Sequence, residues 1–211
     1  FWDYNNDGWE DLFVCGYRTD GEGYINNGVG GIVADYLDQP HSAETMRLYR
    51  NRGDGTFAEV SESMNLDKVV LGMGCNYGDL DNDGWLDFYV GTGNPSFAML
   101  VPNRMFRNEK GMLFQDVTTS GGFGHLQKGH GVSFGDIDQD GDQDIYSVIG
   151  GAFTGDNYMN VLFENPGNEN NWLTLKLVGE SSNRSALGSR IKVLLTAEDG
   201  SKREIHRTVS A

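Results

Sequence analysis

Residues 78–90 read GDLDNDGWLDFYV, and this stretch decides the fold. Its first part places carboxylates at positions 1, 3, 5 and 9 of a loop with glycine at position 6; the four are Asp79, Asp81, Asp83 and Asp87. Like charges this close repel unless a cation neutralises them or water separates them. Calcium takes six to eight oxygen ligands, and a glycine at position 6 lets a loop turn sharply around it. The spacing therefore predicts a nine-residue loop, D-x-D-x-D-G-x-x-D, around one hard cation.

The residues after the loop argue against an EF-hand. An EF-hand needs a bidentate Glu at position 12 and a helix on each side. Position 12 here is Val90, within LDFYVG, whose aromatic and β-branched residues indicate a strand. We therefore expect the loop to close a β-hairpin.

The loop pattern recurs in two other places. FWDYNNDGWEDLFVCG and FGDIDQDGDQDIYSVIGG repeat the register, with ligand candidates Asp3, Asn5, Asp7 and Asp11 in one and Asp136, Asp138, Asp140 and Asp144 in the other. A solvated acidic turn would explain one such match, but each of these loops enters an apolar strand. The sequence predicts loops at 3–11, 79–87 and 136–144 and about three calcium ions, one per loop.

A second marker repeats with the period of the loops. Asp79 and Asp136 are 57 residues apart, and the same step separates Leu48 of LYRNRGDGTFAEV, Met105 of MFRNEKGMLFQDV and Leu162 of a truncated LFENPG. Two markers with one spacing indicate an internal repeat. Each repeat divides into four short strands, for example RLYRN, TFAEV, GMGCNYGDL and WLDFYVG, so that the cation loop joins the third and fourth. Four antiparallel strands per repeat are typical of a β-propeller blade.

The repeats account for about three blades, whereas propellers have typically four to eight. The remaining blades are expected from the same longer chain or from other chains. The polar, glycine-rich stretch from Tyr17 to about residue 47 reads as a long excursion between strands. We predict an all-β fold in which blades over residues 1–168 precede a small β domain over 169–211, cut short at Ala211.

The pattern changes at Asn171. WLTLKLV and SRIKVLLTA alternate as strands, and EDGSKREIHRTVSA predicts a turn at Asp199-Gly200 followed by a third strand. This tail carries no cation loop.

Charge and hydropathy exclude several classes of partner. The formal net charge of −15 argues against nucleic acid and anionic membranes. Eleven of the 31 acidic residues are the loop carboxylates, so three bound calcium ions would bring the charge to about −9. No stretch approaches the roughly 18 apolar residues of a membrane helix, and membrane insertion is not expected.

The loops followed by DFYVGTG and DIYSVIGG, with NRGDGTFAEV between them, resemble FG-GAP/VCBS repeats, the calcium-loop blades also seen in the integrin α-subunit propeller. NNWLTLKLVGESSNRSALGSRIKV resembles the ASPIC/UnbV domain, and the two together resemble the cartilage acidic protein group and its bacterial relatives. The resemblance implies a seven-bladed extracellular propeller, located outside the cell, at its surface or in the periplasm. It implies calcium ligation by the residues above and, through position-7 backbone carbonyls, by Trp9, Trp85 and Asp142.

Other motifs have a structural and a functional interpretation. Arg52-Gly53-Asp54 spells the integrin-recognition tripeptide, but its place in the repeat favours a hairpin turn. His125 and His130 lack a third ligand, which favours a loop before a strand. Cys15 and Cys75 are expected to be buried free thiols, with a bridge between sheets as the alternative. The sequon at Asn183 is interpreted as a structural turn.

These observations favour a non-catalytic module. A calcium-bound carboxylate is poorly suited to proton transfer, and no nucleophile elbow, P-loop or dinucleotide fingerprint appears. The expected role is a calcium-stabilised scaffold that recognises a protein or a glycan. The alternatives are an accessory propeller of a polysaccharide-degrading enzyme and a subunit of an extracellular assembly.

Overall fold

The computed structural model describes residues 1–17, 28–95, 100–197 and 199–210. They form twelve strands and one helix: β1 (Leu12–Val14), α1 (Gly28–Tyr36), β2 (Arg47–Asn51), β3 (Phe57–Glu59), β4 (Gly72–Gly78), β5 (Asp87–Thr92), β6 (Arg104–Asn108), β7 (Phe114–Asp116), β8 (Gly129–Gly135), β9 (Asp144–Ile149), β10 (Val161–Phe163), β11 (Arg190–Thr196) and β12 (Lys202–Thr208). All sheet pairings are antiparallel, as the all-β prediction requires. The sheets are consistent with propeller blades.

The boundaries between sheets are shifted by half a repeat from the predicted boundaries between blades. The four-stranded sheet has the order β4-β5-β6-β7, flanked by the three-stranded sheets β1-β2-β3 and β8-β9-β10. RLYRN and TFAEV, which we grouped with the following loop hairpin, belong to the preceding sheet. The cation loop therefore joins the first and second strands of the four-stranded sheet. The prediction that it joins the third and fourth strands of a blade was wrong. An internal repeat gives the length of one blade but not the residue at which a blade begins. That residue depends on which strands pair.

Strand β5 is buried along its whole length because both faces of its sheet are covered. Phe88 and Val90 point to the aromatic core shared with the first sheet, where the Phe88 ring lies 5.5 Å from that of Trp2. Tyr89, between them in sequence, points the other way and packs with Met105 and Ile145 toward the third sheet. Because successive side chains of a strand point to opposite faces, β5 contributes to two hydrophobic cores.

Glycines allow the inner strands of neighbouring sheets to approach closely. A β-carbon at Gly74 in β4 would lie 2.0 Å from the carbonyl oxygen of His130 in β8. Gly91 of β5 approaches the backbone of Gly129 in the same way, at 2.7 Å. Larger side chains at these positions would push the sheets apart where the blades converge.

The excursion between the first and second sheets contains a helix that the sequence analysis did not predict. Helix α1 packs Ile32 against a small cluster of Val69, Leu71 and Val101. Residues 18–27 of the excursion lie outside the described residues. Across the described parts of the chain, no helix has the length and apolar character needed to cross a bilayer.

The tail forms a hairpin of β11 and β12, paired from Arg190–Thr208 to Thr196–Lys202. This confirms the strand in SRIKVLLTA, the turn at Asp199-Gly200 and the strand after it. WLTLKLV was predicted as a strand, but residues 172–178 have no strand partner within the described chain, and their alternating leucines are exposed. Alternation favours a strand only where a neighbouring edge satisfies its backbone. The boundary at 168/169 stays a prediction.

The two cysteines are free, as expected, but they are not both buried. Cys15 is half-buried and Cys75 is exposed. Their side chains hydrogen-bond to each other, which raises the pKa of the Cys15 thiol and lowers the pKa of Cys75.

Candidate metal centre

The three loops share one backbone conformation. Position 4 adopts a left-handed φ in each copy, 53° at Asn6, 55° at Asn82 and 65° at Gln139. Position 6 follows with φ between 87° and 98° at Gly8, Gly84 and Gly141. Asparagine tolerates the left-handed region and glycine adopts it freely, so Asn6, Asn82 and the three glycines fit this turn, while Gln139 adopts it in the third loop.

Backbone N–H groups hold the loop carboxylates toward the interior of each turn. The position-6 amide donates to Oδ2 of the position-1 aspartate at 2.8 Å for Asp3, 2.9 Å for Asp79 and 3.1 Å for Asp136. The position-7 amide donates to the position-5 carboxylate at 2.8–3.0 Å in all three loops. The turn thereby orients side chains that would otherwise be splayed by their own charge.

Carboxylate oxygens at positions 1, 3 and 5 converge in two of the loops. One oxygen from each of Asp79, Asp81 and Asp83 lies within 4.8 Å of the others, and the same holds for Asp136, Asp138 and Asp140. Loop 3–11 presents Asp3, Asn5 and Asp7 in the same conformation, with an amide in place of one carboxylate. An all-oxygen set suits a hard cation such as calcium.

An unsatisfied oxygen supports the fit to a cation. Oδ1 of Asp79 is buried and has no hydrogen-bond partner among the described residues. In the other two loops the equivalent oxygen accepts from the position-5 amide, at 3.1 Å for Asp3 and 3.0 Å for Asp136. A buried carboxylate oxygen without a partner costs free energy, and a cation at the centre of the loop would remove that cost.

Burial disfavours the charged form of Asp3, Asp79 and Asp83. Desolvation raises the pKa of Asp79 to about 6, although the nearby Arg207 opposes the shift. Desolvation also raises the pKa values of Asp3 and Asp83. A divalent cation would reverse this by stabilising the ionised state.

Position 9 is held differently from positions 1, 3 and 5. Asp11, Asp87 and Asp144 are almost fully buried, and the converging groups of oxygens do not include them. Oδ2 accepts the position-2 amide, at 2.9 Å for Leu80 to Asp87, and Oδ1 accepts an amide from a later residue, Asn51 in β2, Asn108 in β6 or Asn165 two residues after β10. Desolvation raises the pKa of Asp11 to about 7. Ligation by these three residues stays a prediction, and their visible role is to join the loop to the sheet.

Position 7 side chains pack outside the loops. The indoles of Trp9 and Trp85 lie over Gly53 and Gly111, the glycines of the following hairpin turns. Asp142 instead accepts a side-chain hydrogen bond from Asn82 at 2.5 Å. Ligation by the backbone carbonyls of Trp9, Trp85 and Asp142 stays a prediction.

Three asparagines that the sequence analysis left without a role support the loops. Asn51, Asn108 and Asn165 end the LYRN, MFRN and LFEN markers, and each donates its backbone N–H to a position-9 carboxylate at 2.8–2.9 Å. Asn108 and Asn165 also donate to the position-2 carbonyls of the preceding loops, Tyr4 at 2.8 Å and Leu80 at 2.7 Å. Their 57-residue spacing, equal to that of the loops, was the available signal.

Adjacent loops also contact each other directly. The side-chain amide of Asn6 donates to the carbonyl of Gly84 at 2.9 Å, and Asn82 donates to Gly141 at 3.2 Å. The position-4 asparagine of one loop thus contacts the position-6 glycine of the next. The loops form a connected row along one side of the three sheets.

The other motifs have structural roles. Arg52-Gly53-Asp54 is a hairpin turn in which Asp54 accepts two hydrogen bonds from Thr56, at 2.9 Å and 2.7 Å, as the turn interpretation predicts. His125 lies before β8, as predicted, and accepts from the amide of Gln127. His130 lies inside β8, beside the carbonyl of Gly150, so its predicted place in the loop before the strand was wrong. Neither histidine joins a possible metal cluster among the described residues. Asn183 hydrogen-bonds Leu187 in both directions, which is a structural turn.

Residues 3–90 match the family model of the FG-GAP-like repeat. That range includes the first two loops and the sheet contacts between them. A stretch of 99 residues is 30% identical to cartilage acidic protein 1 of Xenopus tropicalis. The alignment covers 45% of this chain and 14% of the relative, so the matched stretch spans about one seventh of that protein. The resemblance of the tail to ASPIC/UnbV stays a prediction.

Proposed function

We propose that this chain is part of a calcium-stabilised, non-catalytic β-propeller that acts outside the cell, at its surface or in the periplasm. The observation that carries the proposal is the convergence of three carboxylate oxygens within 4.8 Å in loops 79–87 and 136–144. The same loop conformation at 3–11 extends it to a third site. Loops 79–87 and 136–144 each join two strands of one sheet, and loop 3–11 is closed by the bridge between Trp2 and Asp11. Because adjacent loops also contact each other, a bound cation would stiffen the row as a whole.

Calcium has a structural role in this proposal. The loops lie at the sheet ends, and their backbone amides already orient the carboxylates. The cation would supply the positive charge that neutralises these carboxylates. Extracellular calcium modules bind at about 10⁻⁴–10⁻³ M. Affinity in that range would keep the loops filled outside cells and empty at cytosolic calcium levels.

The scaffold would present a protein-binding or glycan-binding surface. The excursion with α1 supports this part, because it extends from the sheets and carries exposed Val33, Tyr36 and Leu37. A cavity of about 340 Å³ lies between α1 and the second sheet and is lined in part by Tyr36, Lys68 and Arg104. Exposed aromatic and charged side chains beside a cavity are common in recognition sites.

Isothermal titration of the 211-residue chain with calcium tests the proposal, with magnesium as the control ion. We expect calcium binding at a stoichiometry above one and little heat with magnesium, because an irregular oxygen cage suits calcium better. The absence of calcium binding at millimolar concentrations would refute it. Incubation with polysaccharides tests the non-catalytic part, and turnover by this chain would contradict it.

A further inference from the structure

The C-terminal segment, defined here as residues 168–197 and 199–208, lies over the row of loops. At loop 136–144, the Asn168 side chain donates to Oδ1 of Asp142 at 2.7 Å. The indole of Trp172 lies over Gly141, where an added β-carbon would be 2.0 Å from its Nε1. Position 6 of the third loop is therefore covered by an aromatic ring from the tail.

The middle loop receives the largest number of these contacts. Asn170 donates to the carbonyl of Asp81 at 2.8 Å, and Arg203 donates to the carbonyl of Asp83 at 2.5 Å. Nη2 of Arg207 lies 3.3 Å from both Oδ2 of Asp79 and the carbonyl of Gly84. The segment thus contacts positions 1, 3, 5 and 6 of one loop, with two arginines among the donors.

The first loop is covered by β12, the strand that also carries Arg203 and Arg207. The backbone N–H of His206 donates to Oδ1 of Asn6 at 3.1 Å, and Nη1 of Arg207 lies 3.2 Å from the same oxygen. The His206 ring lies over Gly8, 3.3 Å from an added β-carbon. Arg207 therefore bridges the first and second loops.

The segment contacts atoms on the outside of the loops and does not occupy the oxygens that face the centre of each turn. In the middle loop, three of the four groups that the segment contacts are backbone carbonyls, whose directions are set by the turn itself. At Asp79, Arg207 takes Oδ2, while the partnerless buried Oδ1 is left for a cation. The carboxylate can serve both cations because it has two oxygens.

The local charge is also compatible with both cations. At positions 1, 3, 5 and 9, loop 79–87 has four carboxylates, one more than loop 3–11, where Asn5 replaces Asp. With Ca²⁺ and the Arg207 guanidinium, these four carboxylates of the middle loop would carry a net charge of about −1.

We propose that the C-terminal segment is a cover whose docking is thermodynamically linked to calcium binding, with Arg207 as the positioning residue for Asp79. The proposal rests on the calcium binding proposed above. A cation that fixes the turns fixes the carbonyls to which the cover binds, so each event favours the other by the same factor. Release of calcium would free the tail from the sheets.

Hydrogen exchange with and without calcium tests the linkage in the 211-residue chain. We expect calcium to slow exchange in the amides of β12 as well as in the loops, and magnesium to have little effect. If calorimetry shows calcium binding and the loops gain protection while β12 does not, the linkage is refuted and the calcium sites stand. If no calcium binds, the proposed function fails together with the linkage.

Variants of one strand test the role of Arg207. Arg207→Gln should weaken calcium binding at one site by about fivefold or more and speed exchange in β12. Lys202→Gln makes the same charge change at an exposed position of β12 and should leave both unchanged. Arg207→Lys should restore part of the affinity. Equal affinities for Arg207→Gln and Lys202→Gln would overturn the assignment, and far-ultraviolet circular dichroism would show whether each variant folds.

Discussion

The backbone N–H of Asn108 donates a 2.8 Å hydrogen bond to Oδ1 of the buried carboxylate of Asp87. The side chain of the same asparagine donates to Tyr4 in the preceding loop at 2.8 Å and to Leu86 at 3.0 Å. One residue therefore joins the third strand of a sheet to its own loop and to the loop of its neighbour. Hydrogen bonds of this kind, together with a bound cation, would hold neighbouring sheets together.

Removal of calcium should destabilise the chain. At a calcium concentration of about 100 times Kd, each site contributes about 2.7 kcal/mol to the free energy of unfolding. For a chain of this size that corresponds to about 5–10 °C in Tm per site. Thermal unfolding in 10 mM calcium and in excess EGTA measures the difference. An unchanged Tm would contradict a structural role for the ion.

Substitutions at two positions of the middle loop should differ in severity. Asp81→Asn recreates the amide that Asn5 supplies in the first loop, so we expect a loss of calcium affinity of about tenfold or less. Asp79→Asn alters the carboxylate whose Oδ1 is buried and unsatisfied, and we expect a loss of about 10- to 100-fold. Calorimetry on both variants gives the comparison. Equal effects would show that the positions are interchangeable.

Asn108→Ala should destabilise the chain more than Asn51→Ala. The first substitution leaves the carbonyls of Tyr4 and Leu86 without their donor, at a cost of about 1–3 kcal/mol for each. The side chain of Asn51 donates to Glu10 only, within its own sheet. Urea unfolding of the two variants measures both free energies. A larger loss for Asn51→Ala would contradict the inter-sheet role.

The metal-free chain should lose stability as pH rises from about 5 to about 8. Burial raises the pKa values of Asp11 and Asp79 from 3.8 to about 7 and about 6 in the folded state. The folded chain then holds protons that the unfolded chain has released, so the stability they contribute is lost as pH passes the folded pKa values. Calcium should reverse the trend, because it favours the ionised carboxylates. Tm measured against pH in EGTA and in calcium tests this, and a metal-free Tm that rises over this range would contradict it.

Cell attachment should not depend on the Arg52-Gly53-Asp54 turn. The Asp54 carboxylate accepts hydrogen bonds from Thr56, and Gly53 packs under Trp9, so the tripeptide is part of a hairpin. Asp54→Glu should leave attachment to surfaces coated with the chain unchanged. An attachment lost in Asp54→Glu but retained in the matched Glu62→Asp variant would favour integrin-type recognition.

The local pattern of the sequence was sufficient to predict the loops and their period. The D-x-D-x-D-G spacing places like charges within one turn, and the left-handed φ values at Asn82 and Gly84 follow from residues that favour them. The hairpins and the β11–β12 turn follow from alternation and turn residues in the same way. These features depend on contacts within about ten residues, which a single sequence contains.

Only the tertiary structure decided how the strands divide into sheets and what covers the loops. The pairing of β5 with β6 assigned MFRN to the second sheet, and pairing is a long-range property that a repeat period leaves open. The same holds for Asn108 reaching Tyr4, and for Arg207 reaching Asp79 across 128 residues of sequence. The sequence alone set the turns and the charge. The packing of sheet on sheet and tail on loop determined which buried polar groups meet, because their desolvation cost is met only by partners from distant parts of the chain.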